Sequence, residues 1–133
     1  MLTELVRKML KGDRLALARL FSLIESDLAH LSELLKELHP HFGQAYRIGV
    51  TGPPGAGKST LIDGMVHMLR SEGVTVGILA IDPTSSFTGG SVLADRIRMQ
   101  SHSVDPGVFI RSLATRGIQG GLTRIIRAAI DLM

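Results

Sequence analysis

The chain has 133 residues and a mass of 14.3 kDa, with 44% hydrophobic and 20% charged residues and a mean hydropathy of +0.25. That composition excludes a disordered polyelectrolyte and suits one buried core. Lys and Arg number 15 against 12 Asp and Glu, and with one Tyr and no Trp there are few rings to stack on bases, so nucleic acid is not an expected partner.

The absence of cysteine removes disulfides, thiolate metal sites and cysteine nucleophiles. No apolar run approaches the roughly 20 residues of a spanning helix, and the N-terminus lacks the pattern of a secretory signal. A soluble, cytoplasmic protein with no membrane role is the expectation.

Glycine divides the chain, because only Gly12 and Gly43 precede Tyr46 and thirteen follow it. A boundary near 39–45 therefore separates a helical segment, 1–45, from a glycine-rich α/β segment, 46–133. In the first, Leu17, Leu20, Phe21, Ile24, Leu28, Leu31, Leu35 and Leu38 recur at steps of three and four, which predicts an amphipathic helical hairpin or a long bent helix. Gly12-Asp13 ends a short first helix and caps the next, and His39-Pro40-His41 with Gly43 closes the segment. The apolar seam suits packing on the chain's own domain, with a coiled-coil dimer face as the alternative. His39 and His41 read as flanks of a solvated turn rather than metal ligands.

The second segment predicts a strand over 46–51, a glycine-rich loop, a helix over 59–70 and a buried strand over 74–81. Further elements are a helix over 91–100, a short strand over 108–111 and a closing helix over 122–132. The alternation predicts an α/β fold with a parallel sheet of about three strands, preceded by the N-terminal helices.

Gly52-Pro53-Pro54-Gly55-Ala56-Gly57-Lys58-Ser59 fits G-x-x-x-x-G-K-[ST] between an expected strand and an expected helix. Phosphate oxygens need several donors converging from one side. A loop with little side-chain bulk turns its backbone N–H groups inward, and the helix start adds its dipole. Lys58 is the candidate for the β- and γ-phosphates, Ser59 for Mg²⁺ and Thr60 for the α-phosphate.

Asp82 closes the second expected strand at the sheet edge where ligands bind in α/β folds. The polar loop after it leads to Asp95. Asp82 and Asp95 are candidates to approach Mg²⁺ and the attacking water, one through a bridging water and the other polarising the nucleophile. Asp95 is equally placed to pair with Arg98 in a first helical turn. Arg116, in a third glycine-rich loop, is a candidate phosphate sensor or partner contact, whereas Arg124 and Arg127 read as solvated.

The strings GVTGPPGAGKSTLID, LAIDPTSSFTGGSVLADRIRM and DPGVFIRSLATRGIQGGL, in this order and spacing, closely resemble the methylmalonyl-CoA mutase-associated GTPases, also labelled ArgK-type. The resemblance covers residues 5–133. It implies a P-loop GTPase of the SIMIBI class, homodimeric in its full-length form, in which GTP binding and hydrolysis gate the loading and protection of a cobalamin-dependent mutase. It further implies that Gly52, Pro53, Pro54, Gly55, Ala56, Gly57, Lys58, Ser59 and Thr60 hold GTP or GDP. Ser59 would ligate Mg²⁺, and Asp82 and Asp95 would be the acids of the first switch region.

Some positions depart from the family pattern: Ser86 stands where proline is usual, Ala94 where glycine is usual, and Ile118-Gln119 where His-Leu is common. The family also continues beyond the equivalent of Met133 into its Walker B strand, its N-K-x-D motif and a dimerisation arm. The 133 residues by themselves are therefore expected to bind triphosphate weakly, with little guanine preference. An ATP-dependent phosphotransferase and a non-catalytic docking module are the alternatives, since the phosphate loop alone serves kinases equally well.

Overall fold

The structure is a computed structural model that describes residues 1–26, 29–82, 100–114 and 121–133. The elements are α1 (Leu2–Leu10), α2 (Arg14–Ser26), α3 (Ala29–Leu38), a 3-10 turn (His39–His41), α4 (Lys58–Ser71), β1 (Val76–Asp82), a second 3-10 turn (Gln100–His102), β2 (Val108–Ala114) and α5 (Gly121–Leu132). They cluster into two units, Met1–Tyr46 with Gly117–Met133, and Arg47–Arg116.

In the first unit, α1 ends where Gly12 takes φ +88°, a left-handed value that suits glycine, and its amide donates to the Met9 carbonyl at 2.8 Å. Asp13 then caps α2: its Oδ1 accepts the amides of Leu15 at 2.9 Å and Ala16 at 3.1 Å. These are donors that the helix itself leaves without partners. Asp13→Ala is expected to cost about 1 kcal/mol in a urea melt; an unchanged midpoint would deny the cap any energetic role.

The buried stripe of α2 is Ala16, Leu20, Phe21 and Ile24, and that of α3 is Leu31, Leu34 and Leu38. Leu17 and Leu35, expected in the seam, are only half-buried, while Ala16 and Leu34 take the inward places. The seam is covered within the chain by α1 and α5, as the own-domain reading expects. The sequence reads α5 as the closing helix of the α/β segment, yet it packs against α2 and α3. Its buried positions Ile125, Ala128, Ala129 and Leu132 fall at helical spacing with two alanines at the centre, which lets neighbouring helices approach closely.

In the second unit, Gly73 at φ +78° and the Val74 amide bonded to the Leu69 carbonyl (3.0 Å) turn the chain from α4 into β1. β1 and β2 pair in parallel from Val76↔Val108 to Asp82↔Ala114. Val66 of α4 packs with Ile78 and Val108, flanked by Ile62, Val76 and Ile110, so α4 covers one face of the sheet.

The described residues form two strands; the one expected over 46–51 does not form. Tyr46 is 93% and Ile48 55% exposed, and only Val50 in this stretch is partly buried. A parallel strand needs a paired neighbour and apolar cover on both faces, and this stretch has neither among the described residues. The helix expected over 91–100 lies outside them, apart from Gln100.

One polar contact pins the end of α4 to the start of β2. Arg70 donates from Nε to Asp105 Oδ2 at 2.9 Å and from a terminal nitrogen to Oδ1 at 3.0 Å, and it also donates to the Val74 carbonyl at 2.8 Å. The Gly107 amide donates to the same carboxylate at 2.8 Å. The Arg70 hydrogen bonds, followed by that of Gly107, hold the Asp105 carboxyl below the usual carboxylate range. A lowered native value means that the contribution is complete above the ordinary carboxylate pKa and is lost as pH falls through the native one.

A Cβ at Gly107 would fall on the Arg70 guanidinium. Gly107→Ala is therefore expected to lower the unfolding midpoint at neutral pH. The gap from the wild type should narrow in acid, where the native pair is lost as well; an equal gap at both pH values would remove the ion pair from this account.

Candidate functional site

The loop from Gly52 to Gly57 is shaped by its own residues. The Ala56 amide donates to the Pro53 carbonyl at 3.3 Å, closing a four-residue turn with Pro54 second and Gly55, at φ +77°, third. Proline followed by a positive-φ glycine is the type II pattern. Gly57, at φ +92°, is the N-cap of α4, and its carbonyl accepts the first helical bond from the Leu61 amide at 3.0 Å. A side chain at either glycine would be strained in that left-handed backbone.

The side chains leave the loop open. A Cβ built at Gly55 or Gly57 meets nothing within 4 Å, while one at Gly52 would touch Ala56 and the Lys58 stem at 3.7 Å. Lys58, half-buried, arches back so that its ammonium donates to the carbonyls of Gly52 at 2.7 Å and Pro53 at 2.9 Å. Ser59 is half-buried and Pro53, Pro54, Ala56 and Thr60 are exposed. The first turn of any helix leaves amides outside its own ladder, and Gly57 has no side chain to cap them. An ammonium beside a positive helix end makes this loop suited to an anion.

Asp82 is the last residue of β1, in register with Ala114. The connection over 72–75 reverses the chain, and Val66 in mid-helix meets Ile78 in mid-strand. The start of α4 and the Asp82 end of β1 therefore share one edge of the sheet, the edge at which ligands bind in such folds. Asp95, Arg98, Ser86, Ala94, Arg116 and Ile118-Gln119 lie outside the described residues. Sequence reading missed a group formed by Asp63, His67 and His102. The four-residue spacing of Asp63 and His67 on a helix was the only signal of it, since His102 joins from 35 residues beyond His67.

Among the described residues, no helix is long and apolar enough to cross a membrane. Residues 17–133 match the family model for the methylmalonyl Co-A mutase-associated GTPase MeaB. A Pyrococcus abyssi protein carrying a GTPase name is 56% identical over 133 residues, which are all of this chain and 41% of the relative. The GTPase ArgK of Escherichia coli K12 is 38% identical over 130 residues, covering 95% of this chain and 39% of that protein. The mitochondrial methylmalonic aciduria type A homolog of Caenorhabditis elegans is 39% identical over 144 residues, covering 97% of this chain and 36% of the relative. The chain thus spans about two fifths of the length of the curated relatives it matches. With the family model covering 117 of its 133 residues, the chain belongs to the methylmalonyl Co-A mutase-associated GTPase MeaB family.

Proposed function

We propose that this chain is the phosphate-binding portion of a GTPase that assists the loading and protection of a cobalamin-dependent acyl-CoA mutase. The observation that carries the reading is the loop itself: two left-handed glycines leading into α4, no side chain over them, and an ammonium drawn over the loop carbonyls. The family description names a mutase-associated GTPase, and a relative is named for methylmalonic aciduria; both support the client. The proposal includes a P-loop fold whose parallel sheet gains strands beyond β1 and β2, with 1–45 as a helical segment and 46–133 as part of the nucleotide domain. It also includes a homodimer and a cytoplasmic location alongside the client.

In this reading the backbone from Gly52 to Gly57 and the first turn of α4 hold the β-phosphate of GTP or GDP. Lys58 leaves the Gly52 and Pro53 carbonyls for the β- and γ-phosphate oxygens, exchanging two neutral acceptors for charged ones. Ser59 is the ligand for Mg²⁺, Thr60 holds the α-phosphate, and Asp82 and Asp95 orient water near the cation. Bound Mg²⁺ would supply charge neutralisation at the β- and γ-oxygens.

The full-length protein is expected to hydrolyse GTP with a turnover that ATP does not match, and to co-sediment with the cobalamin-dependent mutase of its own organism. Turnover of ATP with phosphoryl transfer to a small acceptor would replace the reading with a kinase.

A further inference from the structure

The histidine and aspartate group on α4 lies outside the phosphate loop and has no part in the function just proposed. Asp63 and His67 stand one helical turn apart on the same face. The 3-10 turn before β2 brings His102 against them, with its Nε2–H donating to Asp63 Oδ1 at 2.6 Å. His67 Nε2 lies 3.9 Å from that same oxygen, and the two imidazoles meet edge to face with centroids 4.6 Å apart. One ligand atom from each residue lies within 4.8 Å of the other two.

From this geometry we propose that Asp63, His67 and His102 bind a divalent transition-metal ion of the zinc type. The ion would take the place of the proton between His102 and Asp63. Nitrogen and oxygen ligands about 2.0–2.1 Å from a tetrahedral zinc stand roughly 3.3 Å from one another. The two distances to Asp63, 2.6 and 3.9 Å, bracket that spacing, and the imidazole nitrogens, within 4.8 Å of each other, close on it when exposed His67 moves toward His102. Two imidazoles and one carboxylate without thiolate favour Zn²⁺, Co²⁺ or Ni²⁺ over Mg²⁺.

Burial is graded in the way such a site needs. The His102 side chain is 5% exposed and fixed, Asp63 is 37% exposed, and His67 at 65% leaves an entry path and a coordination position for water. Because Asp63 and His67 follow Ser59 at successive steps of four along α4, the ion would tie the helix of the phosphate loop to the segment entering β2.

The test is a titration of the tag-free 133-residue chain with Zn²⁺ alone, in competition with a chromophoric chelator and without nucleotide. One zinc per chain at micromolar affinity or tighter is expected, displaced by Ni²⁺ but not by excess Mg²⁺. Loss of the exposed ligand in His67→Ala, or of carboxylate charge in Asp63→Asn, should weaken binding at least about tenfold while circular dichroism stays unchanged. A double variant of His39 and His41 to alanine should bind as the wild type does. The buried His102 is left intact, so misfolding does not confuse the result. Absence of stoichiometric zinc, or zinc that survives His67→Ala and Asp63→Asn, would leave only a His–Asp hydrogen bond and overturn the proposal. Loss of zinc in the His39/His41 variant would overturn it too.

Discussion

Lys58→Ala is expected to weaken binding of a magnesium-bound nucleoside triphosphate by about ten- to a hundredfold, the equivalent of one charge-assisted hydrogen-bonding group. The fold should be indifferent to the change. The loop carbonyls that the ammonium bonds at 2.7 and 2.9 Å belong to exposed residues, so water replaces the lost donor there. Its replacement at a phosphate is worse, because a fixed positive charge meeting a polyanion has no aqueous equivalent. Lys58→Arg should not restore affinity: a planar guanidinium cannot deliver a compact point charge to the place the ammonium reaches over the Gly52 and Pro53 carbonyls. Fluorescence titration of a labelled triphosphate measures both variants. Equal affinity for wild type and Lys58→Ala would remove this side chain from the phosphate site.

The largest loss of stability is expected in the helical unit. Phe21 and Leu20 are 0% exposed and Ile24 1%, on the face of α2 that meets its neighbouring helices. Phe21→Ala removes a ring from a close-packed interior and leaves a cavity, for an expected cost of about 3–5 kcal/mol. Against a typical total of about 5–15 kcal/mol, that is a large fraction. Leu15, on the same helix but 61% exposed, is the control; Leu15→Ala should stay within about 0.5 kcal/mol. Urea melts followed by circular dichroism decide the matter, and similar midpoints for the two variants would mean that the core lies elsewhere.

What could be read in advance follows the range of the interactions. The Asp13 cap, the glycine stop before it and the helix after the phosphate loop rest on neighbours within a few residues, and each was legible; the two described strands were legible as apolar runs, although their pairing with each other is long-range. The expected strand 74–81 is found as Val76–Asp82, and 108–111 extends to Ala114. The expectation for 46–51 failed because an apolar run becomes a strand only with a paired neighbour. The company α5 keeps was hidden for a similar reason: helical spacing shows which face is apolar, not which surface it meets.

In the candidate site, the turn at Gly55 and the helix start at Gly57 were legible because the loop is local and its backbone demands are met by residue type. Arg70 with Asp105, and His102 with Asp63, were not, since each pair is brought together across more than thirty residues by the β1–β2 pairing.

The most direct measurement is the amide spectrum of the isotope-labelled chain, titrated with Mg²⁺ and a non-hydrolysable GTP analogue. Saturable shifts should be largest at Gly55, Gly57, Lys58, Ser59 and Thr60, with a single dissociation constant for all five. Saturable shifts confined to other residues, or none anywhere at millimolar analogue, would contradict the assignment of this loop to a polyphosphate.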